Sequence, residues 1–205
     1  MTVLRPIAIV ATSTRTPRVG PSIAAFVHDK LQPAAAKANI ALHQVHLSDF
    51  KLPIYDESVI PAMVPEQASF SHPHSKAWSA EMKRHDGYVF VVPEYNYGMS
   101  GGTKNAIDYL VHEIRGKPVV IVSYGVVGGS FASEQLRHTF EKLGLKVAGT
   151  RPQLAFENGR EGPDLFAAMG KGELGEGSKE LWGREKGDEI LKGFEELVEL
   201  LGEKA

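Results

Sequence analysis

Three hydroxyl side chains and two arginines crowd into Ser13-Thr14-Arg15-Thr16-Pro17-Arg18-Val19-Gly20. Hydroxyls donate hydrogen bonds and guanidinium groups grip oxyanions in bidentate fashion, so this run has the chemistry of a phosphate site. A second set is aromatic. Tyr95, Tyr97 and Tyr124 offer ring faces to a flat heterocycle, and Asn96 with the backbone of Gly125, Gly128 and Gly129 offers partners to its polar rim. Taken singly, each of these residues is more often turn or packing chemistry, and loop one alone could be an ordinary solvated connection. Glu94 beside them can act as a general base or can order its loop or a neighbouring subunit.

What brings the two sets together is the strands that deliver them. Pro6–Thr12, the Val89–Val92 part of Gly87–Leu110, and Pro118–Ser123 are unbroken apolar runs, which suit strands covered on both faces of a parallel sheet. The first feeds the Ser13–Gly20 loop. The second is expected to end at Pro93 and feeds Glu94-Tyr95-Asn96-Tyr97-Gly98; the third feeds Tyr124 to Ser130. Ligands of open α/β sheets bind just outside this carboxyl edge. A helix opening at Pro21 puts free backbone N–H groups and a positive dipole end beside the first loop. It carries Ile23, Val27, Leu31, Ala34 and Ala38 inward to a stop at Asn39, with Pro33 expected to kink or split it. After the second loop, Ser100 reads as an N-cap and Ala106, Ile107, Leu110, Val111 and Ile114 predict one helix face reaching Ile114.

The remaining chain supports that frame. Ile40–Leu47 reads as a more polar strand near a sheet edge, and Ser48–Phe70, with Pro53, Pro61 and Pro65, as an irregular surface excursion. A helix from His74 carries Trp78 and Met82, with His74 and Trp78 expected to pack together. Phe131–Leu143 is helical and closed by Gly144, Leu145–Phe156 is the last strand, and Glu189–Leu201 a terminal amphipathic helix. Residues 157–187, rich in glycine and charge, are expected to form a long mobile or partner-contacting loop with a short helix at Pro163–Met169. Five strands alternating with helices predict right-handed crossovers and a three-layer sandwich, as one domain over residues 1–205.

Composition excludes several functions. With 205 residues, 23 basic against 25 acidic and a formal charge of −2, no field favours nucleic acid or an anionic membrane. No cysteine means no disulfide, thiolate nucleophile or thiolate metal site. His72, His74 and His85 lack a carboxylate at ligand spacing, so no metal site is expected. Walker, G-x-G-x-x-G and G-x-S-x-G motifs are absent. Without a secretory pattern or an apolar run of roughly 20 residues, a soluble, cytoplasmic protein is expected.

An anion site after the first strand and a flat-ring site after the third and fourth is the layout flavin mononucleotide (FMN) needs. The motifs agree. Ser13, Arg15, Arg18 and Gly20 resemble the opening G-S-x-R-x-x-R-x-G of the NADPH-dependent FMN reductase family. Pro93-Glu94-Tyr95-Asn96 matches its P-E-Y-N, Lys104 to Leu110 its L-K-N-A-I-D-Y-L after the leucine, and Ser123, Tyr124, Gly125, Gly128 and Gly129 its S-Y-G-G-x-G-G. Thr12, Gly101, Thr103, Val126 and Phe131 depart from the pattern. The likeness, to the quinone and azo reductase branch, covers residues 6–156.

The resemblance implies a flavodoxin-like fold, with a five-stranded parallel sheet in the order 2-1-3-4-5. It assigns FMN binding to Ser13, Arg15, Arg18, Val19, Gly20, Pro93 to Tyr97, Ser123, Tyr124, Gly125, Gly128 and Gly129. It also implies hydride transfer from NADPH or NADH through the flavin to a quinone or azo compound, by a homodimer or tetramer and without an obligatory catalytic side chain. Asn96 and the Gly125 backbone would stabilise the reduced ring. A flavodoxin-like electron carrier or redox sensor, or a binding protein that keeps the fold without catalysis, are the alternatives.

Overall fold

The computed structural model describes residues 4–64 and 69–202, so Pro65 lies outside the described residues. Its strands are β1 (Arg5–Ala11), β2 (Ile40–His46), β3 (Gly87–Tyr95), β4 (Gly98–Met99), β5 (Pro118–Gly125), β6 (Lys146–Val147) and β7 (Gln153–Ala155). Its α-helices are α1 (Gly20–Lys37), α2 (Pro73–Lys83), α3 (Gly101–Asp108), α4 (Ser130–Leu143), α5 (Pro163–Gly170), α6 (Glu176–Glu185) and α7 (Gly187–Gly202). The parallel sheet runs β2-β1-β3-β5-β6, which is the expected order, with seven strands in place of five.

Alternation along the central strands explains their unbroken apolar runs. Ile7, Ile9, Val89, Val91, Val120 and Val122 face one core with α1, α6 and α7. Ala8, Val10, Tyr88, Phe90, Val119 and Ile121 face the other with α2, α3 and α4. Both sheet faces are therefore dry, as a three-layer α/β fold requires.

Four boundaries differ from the sequence reading, each for a local reason. First, β3 runs through Pro93 to Tyr95. Val91 presents its carbonyl to Thr12 N–H on the β1 side (3.1 Å), and Pro93, two residues on, faces the same side beyond the last β1 register pair, where no N–H is required. Second, α3 stops at Asp108 although Leu110, Val111 and Ile114 are buried. The Val111 N–H donates to the Glu113 carboxylate (3.1 Å), which takes it out of the helical ladder. Third, the last strand is split into β6 and β7. Between them Thr150 gives its N–H to Glu196 (2.7 Å), and Pro152 has none to give. Fourth, α1 runs unbroken through Pro33 to Lys37. Asn39 follows it with φ 55°, the left-handed stop expected there.

The segment 157–187 also holds more than one short helix. α5 forms where expected, and α6 follows it with Trp182 buried against Phe156 (5.6 Å) and Phe26 (5.8 Å). Trp182 Nε1 donates to Ala155 O, and Ser178 Oγ accepts from Glu157 N at 3.0 Å. Along α6 the charged Glu176, Glu180, Arg184 and Glu185 are exposed, and together with frequent glycine they hid the packed face.

Candidate functional site

Register places the loops at one edge. Val10 pairs with Phe90 and Pro93 with Tyr124, so the chain leaves β1, β3 and β5 at the same carboxyl end. Between these loops lies a cavity of about 380 Å³, within the range of small-molecule and cofactor sites. Loop one contributes Ser13, Arg15, Arg18 and Val19, β3 contributes Pro93, Glu94 and Tyr95, and β5 contributes Tyr124 and Gly125.

The loop-one wall carries groups whose chemistry suits an anion. Ser13 Oγ is buried beside the Tyr124 hydroxyl and makes no well-formed hydrogen bond among the described residues, which leaves it open to a ligand atom. Gly20 allows this packing. A Cβ there would stand 2.1 Å from Ser13 Oγ and 2.9 Å from the Tyr124 hydroxyl. Arg18 donates to Ser48 Oγ at 2.7 Å, and Arg15 donates to the carbonyls of Met169 (2.8 Å) and Ala168 (3.3 Å). Each guanidinium has five donors, so both keep some for an oxyanion. The N-terminus of α1, with Pro21 in its first turn, opens onto the same loop.

The ring wall has different machinery. Asn96 and Tyr97 have φ of 49° and 61°, the signature of a two-residue type I′ hairpin that returns the chain as β4. This hairpin holds both residues out at its exposed tip, off the cavity lining, where Tyr97 meets Phe131 edge-on at 5.7 Å. Glu94 has a positioning role: its Oε2 accepts from Phe131 N (2.9 Å) and Ala132 N (3.2 Å) and so caps α4. Ser123, Gly128 and Gly129 stand behind the lining. Ser123 Oγ donates to Gly128 O at 2.8 Å, and Gly129, at φ 79°, could not carry a Cβ without meeting Ser123 Cβ and Tyr124 N at 3.1 Å. Burial pushes the Tyr124 phenol above its ordinary range, so it stays a neutral donor.

Sequence reasoning missed part of the lining. Val126 and Phe156 contribute, and so do Leu165, Ala168 and Met169 of α5. Their i, i+3, i+4 spacing was the available signal. The expected His74–Trp78 pair does not form: His74 Nε2 hydrogen-bonds to Asp56 (3.0 Å) and stacks on His72, while Trp78 packs edge-on against Phe50 at 4.9 Å. Among the described residues no group of three or more His, Asp or Glu is arranged to hold a metal ion, and no helix is long and apolar enough to cross a membrane.

A doubly wound parallel sheet with an anion loop after β1 and an aromatic, glycine-lined cleft at β3 and β5 defines a flavodoxin-like protein with a mononucleotide-type site. Comparison with known proteins narrows this. Residues 6–161 match the NADPH-dependent FMN reductase family, and the chain belongs to it. It is 45% identical over 197 residues to an NAD(P)H-dependent FMN reductase, ntnL, of a Nectria species, covering 95% of this chain and 96% of that one. A second NAD(P)H-dependent FMN reductase, C4B3.06c of Schizosaccharomyces pombe, is 38% identical over 148 residues, 72% of each chain. Bacterial quinone reductases are more distant relatives. Among solved structures, the flavoenzyme NAD(P)H:(acceptor) oxidoreductase FerB of Paracoccus denitrificans shares the fold, with a TM-score of 0.64 at 19% identity over 97% of both chains. The protein is thus an oxidoreductase with FMN as cofactor and NAD(P)H as co-substrate. The buried Ser13 hydroxyl and the donors left on Arg15 and Arg18 fit that cofactor's phosphate.

Proposed function

We propose that this protein passes a hydride from NAD(P)H, by way of FMN held at the sheet edge, to a quinone or similar small planar acceptor, in ping-pong order. The observation that carries the reading is the single cavity that joins a buried, arginine-flanked hydroxyl on loop one to the Tyr95, Tyr124 and Gly125 surface. When bound, FMN supplies the hydride chemistry, and the protein supplies position and electrostatics. Ser13, Arg15 and Arg18, with the N-terminus of α1, hold the phosphate. Gly20 and Val19 shape that loop, and Pro93 and Tyr95 with Tyr124 and Gly125 flank the ring. Gly125, on the lining, would bring backbone against the ring, whereas Asn96 lies off the lining and the Gly128 N–H already donates to Gly125 O at 3.2 Å. The exposed Tyr97, Val127 and Phe131 form an apolar rim that supports a homodimer closing over the site.

The test is a visible spectrum of the purified protein with added FMN, before and after NADPH under anaerobic conditions, followed by menadione. Prompt bleaching and recovery with the quinone support the proposal. Flavin that binds but stays oxidised points to a carrier or sensor, and a protein that retains no flavin has kept the fold without the cofactor. Arg15→Ala and Arg18→Ala should each weaken FMN binding by about 1.5–3 kcal/mol, the scale of a hydrogen bond to a charged group. Unchanged affinity in both removes the phosphate assignment.

A further inference from the structure

We propose that α5 is the outer wall of the flavin site, latched by Arg15, and that Leu165 and Met169 on its inner side select which planar acceptors reach the cofactor. The inference rests on the flavin reading above. It starts from a mismatch of boundaries: the family match ends at residue 161, yet Leu165, Ala168 and Met169 line the same cavity as Ser13 and Tyr124. These three residues share one helix face, and Phe166, 58% exposed, lies on the other.

Two independent contacts press the carboxyl end of α5 onto loop one. The carbonyls of Ala168 and Met169 belong to the last turn, where helical partners run out, and Arg15 Nη2 and Nη1 satisfy them at 3.3 and 2.8 Å. Just beyond, Gly172 has φ 73°, and a Cβ there would fall 2.8 Å from both the N and the O of Arg18. At the other end, the buried Asp164 accepts from Ser178 N at 2.6 Å and ties α5 to α6. The helix is therefore anchored by polar contacts at its ends and meets the cavity only through apolar side chains.

Arg15 thus serves two masters with one guanidinium. Two of its nitrogens hold α5 while the residue also lines the cavity, so a phosphate on loop one and a closed wall reinforce each other. The wall itself is aliphatic and thioether, with no polar group to desolvate. Such a surface accepts a fused-ring quinone by contact, and Met169 can adapt to its shape.

Hydrogen exchange of the 163–170 amides gives the first test. FMN should slow exchange across α5 in the unmodified protein, and Arg15→Ala should speed it in FMN-free protein while α7 is unaffected. The second test compares kcat/KM for a naphthoquinone with that for a benzoquinone. Leu165→Ala and Met169→Ala should lower the ratio by about 10-fold, the scale of apolar-pocket discrimination, because the second ring loses its contact, whereas Phe166→Ala should leave it in place. Met169 is 46% exposed, so its variant keeps the test open if Leu165→Ala fails to fold. A protein that binds FMN by its spectrum but shows no protection of α5, or no change of ratio in Met169→Ala, overturns the wall. Unchanged FMN-free exchange in Arg15→Ala overturns the latch. Absence of flavin binding in the spectrum sinks the flavin reading itself, a failure distinguishable from the others.

Discussion

Replacing Glu94 by alanine should destabilise the FMN-free protein by about 1.5 kcal/mol, and replacing it by glutamine by about half as much. α4 begins after Gly129, which brings no side-chain cap. Glu94 supplies the missing acceptor from across the cleft, taking Phe131 N at 2.9 Å and Ala132 N at 3.2 Å with one oxygen. Loss of a cap costs about 1 kcal/mol, within a range of roughly 0.5–2. Removing a negative charge from a helix N-terminus adds about 0.3–1 kcal/mol. Because the carboxylate is only half-buried, water replaces part of what is lost, which keeps the sum near the stated figure. Glutamine keeps an acceptor oxygen in place and forfeits the charge alone. Urea unfolding followed by circular dichroism reads both values, provided the slope with denaturant is shared by the variants. An alanine variant within about 0.5 kcal/mol of the parent refutes the capping argument, since that is the lowest cost a cap removal shows. A glutamine variant of intact stability that loses about 100-fold or more in turnover would instead make Glu94 a general base.

Three further outcomes follow from the geometry. Gly129→Ala should cost roughly 2–3 kcal/mol in thermal unfolding, because it adds left-handed strain to the 3.1 Å approach on Ser123 and Tyr124; a loss under about 1 kcal/mol would mean that the turn relaxes freely. Thr12→Ala and Thr103→Ala should be non-additive by about 1 kcal/mol in a double-mutant cycle, since each removes the other's partner in the 2.8 Å hydroxyl contact; additive losses would deny the contact. Burial holds the Lys117 ammonium down at about 8, against an ordinary 10.5. The folded state therefore carries the full charge penalty below pH 8 and sheds it as the pH rises towards 10.5, where the unfolded chain still binds the proton, so stability should climb between about pH 8 and 10. Lys117→Met should flatten that climb in urea titrations at stepped pH, and an identical pH profile in the variant would show that Lys117 does not cause it.

What could be read from the chain depended on the range of the cause. Both dry sheet faces were legible because apolar runs such as Val89–Val92 and Pro118–Ser123 answer to local patterning, whereas the strand order, a long-range property, came with the family resemblance. Ser100 was legible for the same reason, and its Oγ accepts from Thr103 N at 3.2 Å. Pro93 misled because a proline ends a strand only where its N–H is needed, and that depends on where β1 stops. The Asn96-Tyr97 hairpin was hidden because neither residue type demands a positive φ; the tight return to β4 imposes it. α6 and the inner face of α5 were obscured by frequent glycine, several of which serve close packing: a Cβ at Gly175 would stand 1.8 Å from Asp164 Oδ1, and one at Gly177 2.0 Å from Glu157 Oε2.

The departures from the family pattern are best understood in pairs. Thr12 stands where the pattern has glycine and Thr103 where it has leucine, and in the fold these residues, far apart in sequence, touch. Thr12 Oγ1 donates to Val91 O at 3.2 Å and accepts from Thr103 Oγ1 at 2.8 Å, and Ser100 Oγ closes the chain at 2.8 Å from Thr103. A hydroxyl at either position alone would keep its second partner, Val91 O for Thr12 and Ser100 Oγ for Thr103, but would lose one hydrogen bond of about 0.5–1.5 kcal/mol, so each threonine strengthens the other's place. The chain of hydroxyls also ties the start of loop one to the first turn of α3, beside the hairpin that carries Tyr95. Glycine at position 12 would leave that tie unmade, and leucine at 103 would bury the Thr12 hydroxyl against carbon. The two threonines together thus tie the start of loop one to α3 through one chain of hydroxyls.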